Sequence, residues 1–142
     1  MTDIEIAEAN LDGHSICLCR DGRFFTDDGR GISPMIRFME EGRDLHGYAV
    51  ADIIIGKAAA MLFIKAGIRE VYGEVMSKAG YDLLQQYAIP CAYGILTEKI
   101  INRKGDGVCP MEQTVARIDD PEKGYDALKK RLSELRKGAK HV

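Results

Sequence analysis

The stretch Leu45 to Gly67, LHGYAVADIIIGKAAAMLFIKAG, constrains the fold more than any other part of the chain. Its first part, through about Ala51, reads as extended. Asp52 then reads as a helix N-cap, and the alanine-rich run up to Gly67 as a helix that is apolar on almost every side. Such a helix has to be covered on several sides by a sheet or by other helices. Gly56 and the alanines 58–60 suit close packing there, despite a helix cost for glycine of about 1 kcal/mol. Lys57 interrupts the apolar run. Its ammonium has to escape the core, pair with a carboxylate or meet a ligand.

The flanking segments supply the cover. Ile4 to Leu11 reads as a short helix, and HSICLCRDGRFFTDD as a hairpin turning at Asp21-Gly22. Ser33 reads as the cap of a helix with Pro34 in its first turn and Gly42 past its end. REVYGEVM is a strand, Ser77 caps the helix KAGYDLLQQYAI, and Pro90 introduces the strand CAYGILTEKI. CPMEQTV forms a short helix, and Asp119 or Asp120, before Pro121, starts a C-terminal amphipathic helix at about 120–137. This order predicts an α/β fold, an N-terminal hairpin followed by parallel strands with crossover helices. No repeat or linker interrupts it, so one domain over residues 1–142 is expected.

Composition narrows the function classes. A formal net charge of −2 gives no support for nucleic-acid binding. The basic cluster Lys129, Lys130, Arg131, Arg136, Lys137 and Lys140 alternates with Leu128, Leu132 and Leu135, which fits the solvated face of an amphipathic helix. No apolar run approaches the roughly 20 residues of a membrane span. The acidic start MTDIEIAEANLDG lacks the pattern of a signal peptide, so a cytoplasmic location with reduced cysteines is expected. Cys17 and Cys19, two apart on a strand, read as small core residues on one face. His14, His46 and His141 are scattered and form no metal-binding pair.

Ligands in open α/β sheets bind outside the carboxyl ends of the strands. The element order is expected to gather Asp52, Ser77, Asn102, Arg103, Cys109 and Glu112 at that edge, in one pocket. Cys109 precedes Pro110 at a helix N-cap, where unpaired amides and the helix dipole favour a thiolate, so it is a candidate nucleophile. Glu112 or Asp52 would then move protons. Competing readings stand beside these. Glu112 has the spacing to turn back onto the Cys109 amide as a capping box, and Asp52 as an N-cap needs no further role. Lys57, Ser77, Asn102 and Arg103 are candidate ligand contacts, the guanidinium suiting carboxylate or phosphate, although Asn102 and its basic loop also read as a plain turn.

The order GYAVAD-IIIGKAAAML, VYGEVMSKAGYDLL and INRKGDGVCPMEQTV, from about Leu11 to Ala116, resembles the prokaryotic domain of unknown function 1893 family. The resemblance implies a cytidine-deaminase-like fold, a three-layer α/β/α sandwich. Zinc deaminases carry His (or Cys)-x-Glu at one helix N-terminus and Pro-Cys-x-x-Cys at the next. Here Ala51-Asp52-Ile53-Ile54 and Met76-Ser77-Lys78-Ala79-Gly80 stand there on element order, and Pro90-Cys91 opens a strand without a second cysteine. Asp52 and Ser77 would occupy the places of the metal ligands, and no metal or cofactor is expected. The expected function is a zinc-independent small-molecule domain, its ligand a nucleotide or nucleobase, without nucleic-acid or membrane partners and dimeric by fold analogy. The alternatives are an enzyme using Cys109 as nucleophile, and a partner-binding scaffold of the same fold.

Overall fold

The computed structural model describes residues 1–140, so His141 lies outside the described residues. In chain order the elements are α1 (Asp3–Ala9), β1 (Ile16–Arg20), β2 (Arg23–Asp27), α2 (Ser33–Glu40), β3 (Ala49–Ile55) and α3 (Lys57–Ala66). They continue with β4 (Glu70–Ser77), α4 (Lys78–Gln86), β5 (Cys91–Thr97), α5 (Pro110–Val115) and α6 (Pro121–Lys140). The five strands form one mixed sheet in the order β2-β1-β3-β4-β5. β1 is antiparallel to β2 and β3, whereas β3, β4 and β5 run parallel, as the alternation of strands and helices predicts.

The hairpin turns where its chemistry demands. Asp21 and Gly22 both take positive φ, 53° and 79°, the requirement of a two-residue type I′ turn. The carboxylate of Asp3 accepts the amides of Asp21 and Gly22, each at 2.9 Å, tying α1 to the hairpin. Those two hydrogen bonds hold the Asp3 carboxyl below its ordinary pKa.

Strand alternation splits the interior into two cores. Cys17, Cys19 and Ala51 meet Ala7 and Leu11 on the α1 side, so both cysteines are buried free thiols. Ile16, Leu18, Val50 and Val71 belong to a larger core that includes α3. Residues 58–63 of α3 are all buried, as an almost wholly apolar helix requires.

Two helix starts differ from expectation. α3 begins at Lys57, not after Asp52: β3 continues through Ile53, Ile54 and Ile55, with Ile55 paired to Met76 of β4. Three consecutive β-branched side chains favour the pleated strand over a first helical turn, and Gly56, in extended backbone, becomes the N-cap. Ser33 is likewise not a cap. A turn from Arg30 already places it inside α2, where its hydroxyl donates to the Arg30 carbonyl at 2.8 Å. Ser77 does cap α4, and Gly67, at φ 79°, closes α3. Among the described residues no helix is long and apolar enough to cross a membrane.

Candidate functional site

Parallel pairing brings the carboxyl ends of β3, β4 and β5 to one sheet edge, with Ile55, Met76 and Leu96 in a single row. A cavity of about 530 Å³ opens beyond that edge. Lys57 contributes from the first turn of α3, and Ser77, Asp82 and Gln86 from the β4–α4 segment. Residues 98–100, following β5, and Glu112, Gln113, Ala116 and Asp119, on and after α5, also line it, with Ala79, Leu83 and Val108 between them.

The local chemistry of this edge is dominated by the start of α3. Its N-cap is Gly56, which has no side chain to accept the first amides. Glu112 supplies the missing acceptor from 55 residues away: Oε1 accepts the Lys57 amide at 2.8 Å and Oε2 the Ala58 amide at 2.9 Å. A carboxylate at a helix N-terminus also meets the positive end of the dipole. The capping box on α5 itself does not form, because the Cys109 amide donates to the Ile100 carbonyl at 2.9 Å. A Cβ on Gly56 would collide with the Glu112 carboxylate, and one on Gly80 would stand 2.9 Å from the Gly56 carbonyl carbon. Close approach of the α3 and α4 starts therefore requires glycine at both positions.

Ser77 is buried, and its Oγ accepts the Gly80 amide at 3.0 Å. Lys57 meets one of the fates its position allows. Its Nζ donates to Asp119 Oδ1 at 2.9 Å and to the Ala116 carbonyl at 3.3 Å, while its side chain is only 12% exposed.

The remaining predicted residues lie apart from the cavity. Asp52 sits within β3, opposite Ile16 and Gly73, and is not among the lining residues. Burial raises its pKa from 3.8 to about 7; the Ile54 and Ile53 amides oppose the shift and the charge of Glu74 reinforces it. Cys109 is the N-cap of α5, but its side chain makes no capping hydrogen bond and packs against the large core. Asn102 holds its own loop, exchanging hydrogen bonds with the side chain and amide of Asp106 at 2.9 and 3.2 Å. Arg103 is exposed on that loop. The structure thus brings Lys57, Ser77 and Glu112 together and leaves Asp52, Cys109, Asn102 and Arg103 outside the cavity wall.

Carboxylates outnumber ammonium groups in the wall: Asp82, Glu98, Glu112 and Asp119 against Lys57 and Lys99. Sequence reading missed Asp82 and Gln86, although their four-residue spacing on α4 puts them on one face. The helix starts Ser33-Pro34, Gly56-Lys57 and Ser77-Lys78 carry no cysteine or histidine. Among the described residues no group of three or more His, Cys, Asp or Glu side chains is placed to hold a metal ion.

A family model described as a domain of unknown function, DUF1893, matches residues 8–132. A crystal structure of a DUF1893 family protein (TM1506) from Thermotoga maritima superposes with a TM-score of 0.74 at 26% identity. The match covers 85% of this chain and 80% of that one. None of the curated proteins matches the chain.

Proposed function

The chain belongs to the DUF1893 family, and we propose that it is a metal-independent small-molecule-binding domain on a cytidine-deaminase-like scaffold. The scaffold reading draws support from the hairpin followed by parallel strands, with cores on both sheet faces. Zinc chemistry does not fit the residues at the helix starts. A zinc deaminase needs three thiolate or imidazole ligands and a proton-carrying glutamate at two of them. Here the first amides of α3 are taken by the Glu112 carboxylate, which is committed to a structural contact on both oxygens.

The observation that carries the binding reading is the carboxyl-edge cavity. Its volume of about 530 Å³ falls within the range of small-ligand sites, and it opens where open α/β sheets bind ligands. Lys57 pairs with Asp119 and Lys78 with Glu98, so the wall keeps a surplus of one carboxylate, which disfavours phosphates. An uncharged nucleobase or nucleoside therefore suits it better than a nucleotide, with Gln86, Gln113 and the Ser77 hydroxyl available for orientation.

A thermal-shift series with nucleobases, nucleosides and their 5′-monophosphates tests this. A fitting base or nucleoside at about a hundredfold excess over its Kd raises Tm by about 5–10 °C. Ala79 lines the cavity and is exposed, so Ala79→Trp fills the space without disturbing the core and abolishes the shift. A shift that survives Ala79→Trp, or none with any compound, overturns the reading.

A further inference from the structure

Among the described residues α1 is the helix that covers the second face of the sheet, over Cys17, Cys19, Ala51 and part of Tyr72. It does not reach the carboxyl halves of the parallel strands. Ile55 and Met76 point into the large core, so their strand neighbours Ile54 and Val75 point to the opposite face. Ile95 pairs with Val75 in the same cross-strand row. Ile54 is 48% and Ile95 63% exposed, Val75 is half-buried between them, and Ile53 beside them is exposed as well.

Parallel strands are ordinarily covered on both faces, so a row of branched aliphatic side chains in water is out of place here. The row also runs out to the margin of the sheet. β5 is the edge strand, and its seven residues, CAYGILT, carry neither charge nor proline. Those are the devices that keep an exposed edge from associating. A bare aliphatic face thus adjoins an unprotected edge.

We infer that this strip is the contact face of a homodimer, in which two copies pack Ile54, Val75 and Ile95 against one another about a two-fold axis. Charge, shape and area select a second copy as the occupant. Glu74 is the one charged residue among 53–54, 74–75 and 92–95, so a charged peptide, a nucleic acid or an anionic membrane finds no complementary charge. The strip lies outside both cavities, without a groove for a helix or a small ligand. Two such rows can instead interdigitate as packed sheets do, about 10 Å apart, and every copy of the chain carries the matching row. Three strands by four residues measure about 15 by 13 Å, on the order of 300 Å² accessible once side chains stand on them. That suits the apolar centre of a contact of about 600 Å² a side, the small end of specific interfaces. Glu74 lies one residue back from the row, toward α1, and stays in water at the rim.

Sedimentation equilibrium of the full chain between about 1 and 300 µM tests this. A monomer–dimer equilibrium with a Kd on the order of 10 µM is expected, and added salt does not weaken it. Ile54→Lys and Ile95→Lys each weaken it about tenfold or more. Both side chains are exposed in the single chain, so each variant keeps the native urea midpoint at concentrations where the chain is monomeric. Phe24→Lys, on the far edge strand, and Leu135→Lys, on α6, replace equally exposed apolar groups and leave the dimer intact. A chain that stays monomeric throughout overturns the inference, as does a dimer that survives both isoleucine variants or is lost with Leu135→Lys. A dimer that salt dissociates would assign the contact to charged groups, and mass growing beyond two copies would contradict a two-fold contact.

Discussion

Replacing Asp52 by asparagine removes a buried titratable carboxyl while keeping the side chain's shape and its acceptor for the Ile54 amide. In the folded chain the Asp52 carboxyl titrates at about 7 against an ordinary value of 3.8, with burial as the main cause. The difference between those two values corresponds to roughly 4 kcal/mol. The sign follows from proton binding. Between the two pKa values the folded chain holds a proton that the unfolded chain has released, so stability falls as pH rises, by about 1.4 kcal/mol per unit. Below about pH 4 both states are protonated and the contribution vanishes; above about pH 7 the full penalty stands. Asparagine carries a fixed cost for its extra N–H donors, so the informative quantity is how the difference between the proteins changes with pH. Urea unfolding of both across this range is expected to show Asp52→Asn gaining about 4 kcal/mol relative to the native chain between about pH 4 and pH 8. A difference that stays flat over that range refutes the assignment of a protonated buried carboxyl to Asp52.

Other perturbations probe the α3 start and its neighbours. Glu112→Ala leaves the Lys57 and Ala58 amides without their acceptors and is expected to cost about 2–4 kcal/mol in chemical denaturation, with Glu112→Gln costing less. Gly56→Ala, whose Cβ collides with the Glu112 carboxylate, should destabilise strongly in the native background and much less beside Glu112→Ala. Additive effects would show that the two groups do not share the helix start. Lys57→Met removes an ammonium held by Asp119 and the Ala116 carbonyl, both on the exposed side of the cavity. Its expected cost is below about 1 kcal/mol, because Asp119 returns to water, and a loss of several kcal/mol in denaturant titrations would contradict that.

Local chemistry made much of the fold legible. Asp21-Gly22 specified its turn, Ser77 its helix start, and Pro110 the first residue of α5, because each acts on backbone within a few residues. The parallel order of β3, β4 and β5 followed from the alternation of strands and helices. An aspartate before an apolar run looks like a cap, whereas pairing of Ile54 and Ile55 with β4 keeps that run in the sheet and Asp52 inside β3. Glu112 was harder still. A glutamate in the first turn of a short helix can serve its own helix or another, and the docking of α5 against α3 decides which. A glycine N-cap on α3 is the one sequence trace of a side chain arriving from elsewhere. The cavity's location was foreseeable from topology, but its charge balance depends on Asp82, Glu98 and Asp119, whose side chains meet only after folding.

Calorimetric titration of nucleobases and nucleosides against the purified chain, each alongside its 5′-monophosphate, tests the central claim most directly. The carboxylate-rich cavity predicts one-to-one binding of a base or nucleoside, weakened by about tenfold or more when a phosphate is added. Tighter binding of the monophosphate, or no heat with any member of the series, would contradict a small-molecule site for uncharged ligands at the carboxyl edge.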